Sequence, residues 1–390
     1  MRYCRQLESI HPSIFSLEKL VYLDLNNCDS LTTFTSNSNL SSLHYLNLGY
    51  CKKLSEFSVS LENIVELNLS WCPINALPSS FGCQSNLETL DLSDTEIESI
   101  PSSIKNLTKR RKLDIGNCSK LLALPEFPSS LETLIVDNCM SLKTVLFPST
   151  VAEQFKENKK TVEFWNCMNL DERSLINIGL NVEINLMKFT HKHLSTLEHD
   201  YVESYVDYKY NFDSYPYQDL YAYPGSSVPQ WLEYKTTKKA MIIDLSQRHL
   251  SPLSGFVFCF VLVKDLKSMG QIKLKITTIE GDDEKDGVEI YLDIPFVIHS
   301  DHVCLIYNTP WSQYLTTIAK NQTGFKIKVT AMSIDLGSGK VKNVLKGFGM
   351  SPINQSTYQN LIQQMEYECV EPEGERNKGN KKRKRKEGAT

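Results

Sequence analysis

Six times within its first 140 residues the chain repeats a nine-residue pattern in which positions 4 and 6 are apolar, position 1 is apolar in all copies but one, and position 9 is small. The copies are Leu20-Leu23-Leu25-Cys28, Leu43-Leu46-Leu48-Cys51, Ile64-Leu67-Leu69-Cys72, Leu87-Leu90-Leu92-Thr95, Arg110-Leu113-Ile115-Cys118 and Leu131-Leu134-Val136-Cys139. Their ninth positions lie 23, 21, 23, 23 and 21 residues apart. Positions 4 and 6 are two apart, so on a short strand they share one side, and positions 3, 5 and 7 share the other. One side is therefore core and the other open. Position 9 falls where the chain leaves the strand, and a cysteine or threonine there fills a buried corner with a weak donor.

A strand signature recurring every ~20–29 residues marks a leucine-rich repeat, whose units bury their apolar edges only by stacking. The fold expected is an α/β leucine-rich-repeat right-handed solenoid with parallel strands on the concave face. Between strands, Leu77-Pro78-Ser79-Ser80, Ile100-Pro101-Ser102-Ser103 and Leu124-Pro125 place proline after an apolar residue, which predicts extended or short helical returns. Arg110 takes the place of the first leucine in its repeat, and Val162-Phe164-Cys167 keeps part of the signature as a last, degenerate unit. Cys4, Leu7 and Ile10 match the tail of a further repeat, which makes about seven units with the first incomplete. No polar cap precedes it, and the chain is expected to be the C-terminal part of a longer protein.

The solenoid is assigned residues 1–170, and residues 171–221 form a helical and tyrosine-rich connector. Leu175, Ile178, Leu186 and Leu194 give the helical spacing, with Gly179 weakening a single long helix. Eight tyrosines between Tyr201 and Tyr223 read as rings packing on the next domain. Residues 222–355 then show short β-like runs at 241–245, 256–263, 272–279, 288–294, 302–307, 325–334 and 341–348, which predicts an antiparallel β-sandwich. Residues 356–390 are a charged tail expected to be disordered.

Composition removes several function classes. No apolar run approaches the ~18–20 residues of a membrane helix, and the N-terminus lacks the apolar core of a secretory signal. A cytoplasmic location is expected. The net charge is −4, yet Lys381, Lys382, Arg383, Lys384, Arg385 and Lys386 contribute +6, so the rest carries −10. Such a body does not recruit nucleic acid as a primary ligand. The basic run is a candidate nuclear-import cluster, set against a solubilising tail. The eleven cysteines follow the repeat and read as reduced thiols. His191 and His193 lack nearby zinc-spaced partners, so no metal or cofactor is expected. There is no G-x-S-x-G or H-E-x-x-H, and Gly337-Ser338-Gly339-Lys340 is not a P-loop, because Ile334 and Val341 stand where a glycine and a Ser/Thr are required. A non-enzymatic recognition protein is the expectation.

The cysteine-bearing repeats with their "LPSS" returns, followed by Phe164-Trp165-Asn166-Cys167-Met168-Asn169-Leu170-Asp171-Glu172, resemble the end of the repeat array in plant TIR-type nucleotide-binding leucine-rich-repeat disease-resistance receptors. Tyr223-Pro224-Gly225-Ser226-Ser227-Val228-Pro229-Gln230-Trp231 resembles the opening of their C-terminal jelly-roll/Ig-like domain. Gly255-Phe256, His302-Val303 and Lys346-Gly347-Phe348-Gly349 fall where later motifs of that domain would. The resemblance, over roughly residues 1–355, implies contact with a pathogen effector or host protein through both parts, beside upstream TIR and nucleotide-binding domains. Those domains are absent here, so NAD cleavage and nucleotide binding are not carried over.

The candidate binding face is the open side of the strands: Tyr22, Asp24, Asn47, Tyr50, Glu66, Asn68, Trp71, Asp91, Asp94, Lys112, Asp114 and Asp137. Position 5 is acidic or amidic from Asp24 to Asp114, which suits a basic or hydrogen-bond-donating partner, and Tyr50 and Trp71 are candidate anchors. The plainer reading is that these side chains only solvate the face. Two other functions compete. A truncated regulator or scaffold would compete with complete receptors for partners. An extracellular repeat receptor gains from glycosylation-type triplets at Asn39, Asn68, Asn106, Asn321 and Asn354 but lacks a signal segment.

Overall fold

The structure is a computed structural model. It describes residues 1–78, 81–82, 86–196, 218–238, 240–244, 253–264, 270–280, 283–284, 288–294, 297–308, 312, 326–335, 341–342, 345–354, 356, 358–360 and 363. The tyrosines from Tyr201 to Tyr217, the Gly337-Ser338-Gly339 turn and the basic run at 381–386 lie outside the described residues.

Every signature folds into a three-residue strand, and the strands stack in parallel. Tyr22–Asp24, Tyr45–Asn47, Glu66–Asn68, Thr89–Asp91, Lys112–Asp114, Thr133–Ile135 and Thr161–Glu163 pair successively, each position of one repeat opposite the same position of the next. The leucines at positions 4 and 6 are buried throughout, as Leu46, Leu48, Leu67, Leu69, Leu90 and Leu92 show. Position 3 is half-buried or exposed in every repeat and supplies the accessible part of the open side. The returns carry little helix: 3-10 turns at Pro12–Ser16 and Ser102–Asn106, and short parallel pairs such as Thr33–Asn39 with Glu56–Ser60. Phe15, Phe34 and Phe57 pack ring to ring behind the sheet at 5.4 and 6.3 Å.

Position 9 behaves as its chemistry requires. Cys51, Cys72, Cys118, Cys139 and Cys167 each donate from Sγ to the position-6 carbonyl of the preceding repeat, at 3.3, 3.1, 3.2, 3.1 and 2.9 Å. Thr95 bonds instead within its own repeat, to the Leu92 carbonyl at 2.7 Å. Burial holds the Cys51 and Cys72 thiols well above the ordinary range, so they stay protonated donors.

The parallel sheet does not stop at the last repeat. Gln218–Pro224 adds to Thr161–Glu163 in parallel, with Val162 opposite Tyr221. From there the same sheet runs antiparallel through His302–Asn308, Leu253–Leu262, Leu345–Asn354 and Tyr234–Thr236, giving twelve strands in one sheet. A second sheet pairs Ala240–Asp244 with Lys326–Asp335 and that strand with Gly270–Glu280, which also takes Asp283–Glu284 and Val288–Ile294. Two details differ from the sequence reading. The strand Gln218–Pro224 begins inside the span read as connector, and the apolar run 341–348 is divided, Val341–Lys342 joining the second sheet and Leu345–Asn354 the first.

The helix Glu172–Thr196 runs as one element through Gly179, the residue read as weakening a single long helix. Its ~1 kcal/mol cost is offset by the buried stripe Ile178, Val182, Leu186 and Phe189. Asp171 caps the first turn by accepting the Ser174 amide at 2.7 Å. Asn181 and Asn185 turn toward the loop before the last strand: Asn185 accepts the Lys159 amide at 3.1 Å, and Asn181 donates to Glu157. Glu157 and Lys159 form a buried ion pair at 2.5 Å, and Tyr221 closes the cluster by donating to the Lys159 carbonyl at 2.7 Å. The helix thus seals the end of the solenoid with apolar and polar contacts together.

Candidate functional site

The concave face is built by two columns of side chains with different tasks. Position 5 faces the open side but bends toward its own turn. Asp24, Asn47, Asn68, Asp91 and Asp114 each accept the backbone amide two residues on, at 3.0, 2.9, 2.8, 3.0 and 3.1 Å. Asn68 and Asp91 also accept a serine hydroxyl, from Ser70 at 2.7 Å and Ser93 at 2.6 Å. These are Asx turns, and the acceptor oxygen is what each position needs, whether the residue is Asp or Asn. Asp24 and Asn47 are accordingly only 6% and 8% exposed. Where Ile135 interrupts the column, Asp137 accepts the Trp165 amide from the next repeat at 3.3 Å.

Position 8, which the sequence reading had not separated, carries a left-handed backbone in every repeat. Tyr3, Asn27, Tyr50, Trp71, Asp94, Asn117, Asn138 and Asn166 have φ between 56° and 61°. The turn lets their amides continue the ladder past the strand, as Tyr50 to the Ser70 carbonyl at 2.8 Å and Trp71 to the Ser93 carbonyl at 2.9 Å. Asn and Asp tolerate this conformation best among residues with a side chain. Their side chains also form a ladder of their own: Asn117 donates to Asp94 at 3.2 Å, Asn138 to Asn117 at 3.0 Å and Asn166 to Asn138 at 2.8 Å. The D/N-x-G/S spacing of positions 5 and 7, with Asn recurring at position 8, was the available signal.

Tyr50 and Trp71, like Tyr3 in the incomplete first repeat, depart from that rule. Both are bulky, both are held at positive φ, and their rings stack at 5.5 Å and 10°. They remain 41% and 46% exposed. Tyr22 stacks on Tyr45 at 4.2 Å and 4° and is 53% exposed, and its hydroxyl donates to Asp24 at 3.2 Å. Arg2 reaches the same carboxylate at 2.5 Å. The N-terminal part of the face is thus aromatic. Glu66 and Lys112 are exposed at position 3 and flank Thr89 in register.

The C-terminal part is acidic. Burial pushes the Asp94, Asp114 and Asp137 carboxyls upward, and neighbouring carboxylates add to it. Glu163 is raised for the same reasons, although its Oε2 accepts the Trp165 indole N–H at 2.9 Å. Beyond it the last repeat meets the second half of the chain. Asn166 donates its amide to His302 Nε2 at 2.9 Å and its side chain to the Val297 carbonyl at 2.8 Å, while its own oxygen accepts the His299 amide at 2.9 Å. His302 Nδ1 faces the Ser300 carbonyl at 2.7 Å, so the ring carries its proton there and is neutral. Burial lowers its pKa to about 4. Of the twelve sequence-chosen residues, the structure groups Tyr22 with Asp24, Tyr50 with Trp71, and Asp91, Asp94, Asp114 and Asp137 along one acidic run. No group of three or more His, Cys, Asp or Glu suited to a metal occurs among the described residues. No helix among them is long and apolar enough to cross a membrane.

Comparison with known proteins finds a family model and curated relatives that the chain resembles. The leucine-rich-repeat family model matches residues 86–107. Disease resistance protein RPS4B of Arabidopsis thaliana is 27% identical over 269 residues, covering 66% of this chain and 21% of the relative. TMV resistance protein N of Nicotiana glutinosa is 27% identical over 267 residues, with the same coverages of 66% and 21%. Among solved structures, the leucine-rich repeat domain of the type III effector XopL matches at 22% identity and a TM-score of 0.33, over 44% of this chain and 69% of that one. The chain spans about a fifth of the length of these plant relatives. Over about two thirds of its residues, the chain is a homologue of plant TIR-type nucleotide-binding leucine-rich-repeat disease-resistance proteins.

Proposed function

We propose that this chain is a protein-recognition module of plant innate immunity, without enzymatic activity, whose concave face contacts a pathogen effector or a host protein. The observation that carries the reading is the pair Tyr50 and Trp71. Five of the eight position-8 sites hold Asn or Asp, which fit the left-handed turn cheaply. Bulky side chains there cost of order 1–3 kcal/mol, and such strain is characteristic of sites kept for binding. Exposed, pre-stacked aromatics supply large contact area with little side-chain entropy to lose. The acidic run beyond them supplies a complementary surface for a basic partner. The two sheets of the second half would form the β-sandwich that contributes the remaining contacts.

Replacing both by the residue the turn prefers separates binding from folding. In Tyr50→Asn/Trp71→Asn we expect thermal stability equal to or above the parent and at least a tenfold loss of affinity for a partner recovered by crosslinking in leaf tissue and titrated as purified protein. Undiminished affinity of a correctly folded double variant would remove the aromatic pair from the interface. Import into the nucleus through residues 381–386 is a separate proposal, tested by deleting them from a fluorescent fusion.

A further inference from the structure

Away from the concave face, the second half of the chain carries a groove of about 530 Å³. It lies between the loop that follows Pro224-Gly225, the terminal strand Tyr234–Thr236 and the start of Leu345–Asn354. Lys235, Lys238 and Lys346 line it, with hydroxyls from the pairs Ser226-Ser227 and Thr236-Thr237. No carboxylate is among its described lining residues. On a body that carries −10 outside its C-terminal basic run, three lysines lining one concavity run against the prevailing charge. We propose that this groove binds a phosphate monoester.

The chemistry of the lining favours phosphate over other anions. A phosphate monoester carries close to two charges at neutral pH and three acceptor oxygens, which suits several ammonium groups and hydroxyl donors arrayed around it. Lysine meets phosphate as a point charge, whereas planar carboxylates are better matched by the guanidinium fork, and no arginine lines this groove. The walls are held in place. Lys346 is anchored by Asp301 at 2.8 Å, and the same carboxylate accepts the Lys264 amide at 3.0 Å. Lys235 donates to the Gln230 carbonyl at 2.9 Å, and the Thr236 hydroxyl accepts the Lys238 amide at 3.0 Å. Val228 sits so close over Gly347 and Gly349 that a Cβ on either would fall 3.1 or 2.6 Å from its methyls. The loop is thereby fixed against the strand, and a ligand would have to share the Lys235 and Lys346 ammonium groups with the Gln230 carbonyl and Asp301. Asp301 neutralises part of the Lys346 charge, so Lys235 and Lys238 carry most of the attraction.

The inference does not depend on the concave face. The test uses the full chain at low ionic strength, ~50 mM salt, where such contacts are least screened. Inorganic phosphate, a phosphoserine peptide and a sugar phosphate are each titrated and followed by phosphorus NMR. Saturable binding that falls at least tenfold in Lys235→Gln/Lys238→Gln, with an unchanged melting midpoint and with Lys105→Gln, an exposed lysine of the return turn Ser102–Asn106, as a neutral control, supports the site. Tighter binding of the peptide than of the sugar phosphate assigns the ester to a phosphorylated protein, and the reverse order assigns it to a soluble ester. Absence of saturable binding by all three, or equal binding by the double variant, overturns it.

Discussion

Arg110 occupies a position that four of the other signatures fill with buried leucine or isoleucine, namely Leu43, Ile64, Leu87 and Leu131. Its side chain has no exposed surface, and none of its three guanidinium nitrogens finds a hydrogen-bond partner among the described residues. Burial alone lowers its pKa from 12.5 to about 9. At about 1.4 kcal/mol per tenfold, that fall corresponds to ~5 kcal/mol by which folding disfavours the charge. Domain stabilities are ~5–15 kcal/mol in total, so Arg110→Leu should be among the most stabilising single changes available. For a chain of this size ~2 °C accompanies each kcal/mol, and a rise of roughly 10 °C in melting midpoint is expected. Arg110→Met, which keeps an unbranched apolar stem, should give most of the gain. The pH dependence has a definite sign. The unfolded arginine keeps its proton to about 12.5, whereas the folded one begins to release it near 9. The penalty is therefore fully present below about pH 9 and is relieved above it, so the gap between variant and parent should shrink by ~1 kcal/mol by pH 10. Paired urea unfolding curves at both pH values measure it. A neutral or destabilising Arg110→Leu, with a gap that ignores pH, would refute the claim that this guanidinium is unpaired.

Asp91→Ala removes the acceptor used by both the Ser93 amide and hydroxyl and should cost ~1–2 kcal/mol in a denaturant midpoint, whereas Asp91→Asn should be nearly neutral. The same contrast makes Asp91→Asn/Asp114→Asn, and not charge reversal, the right probe of whether the acidic run attracts a partner. Glu157→Gln leaves the buried Lys159 ammonium without its counter-charge and should destabilise by ~3–5 kcal/mol in the same assay, while Glu157→Gln/Lys159→Met should recover most of that loss. His302 is neutral when folded, and burial sets its pKa near 4 against 6.5 for the free side chain. Between those values the unfolded chain takes up a proton that the folded one refuses, so stability present above pH 6.5 is lost on acidification, by up to ~3 kcal/mol. A His302→Gln variant should show a flatter profile between about pH 6.5 and 4.

The solenoid was legible because its periodicity is imposed by packing: leucines two apart on a strand must share the core, and Leu46 with Leu48 or Leu90 with Leu92 do so. The cysteine at position 9 was readable from size and donor chemistry alone. Position 5 was harder. Sequence places Asp91 and Asn68 on the open side, but only the turn geometry shows their oxygens committed to backbone amides. Position 8 was hidden for a related reason, because a left-handed residue leaves no apolar pattern and is signalled only by Asn27, Asn117, Asn138 and Asn166 recurring before cysteine. Gly179 misled, since intrinsic propensity yields to a well-buried helix face. Long-range pairing, such as Val162 with Tyr221, is decided by edges that meet across many residues and has no local signature. The lysine groove assembles from three separated segments and was equally invisible.

A sheet shared between repeat array and second half has a mechanical consequence. Swinging one half against the other would mean unzipping Thr161–Glu163 from Leu220, Tyr221 and Ala222, and prising the Glu157 and Lys159 cluster away from the sealing helix. Among the described residues that seam is paired sheet backed by a buried ion pair. Torque applied to one half would therefore be carried into the other through these hydrogen bonds and this ion pair.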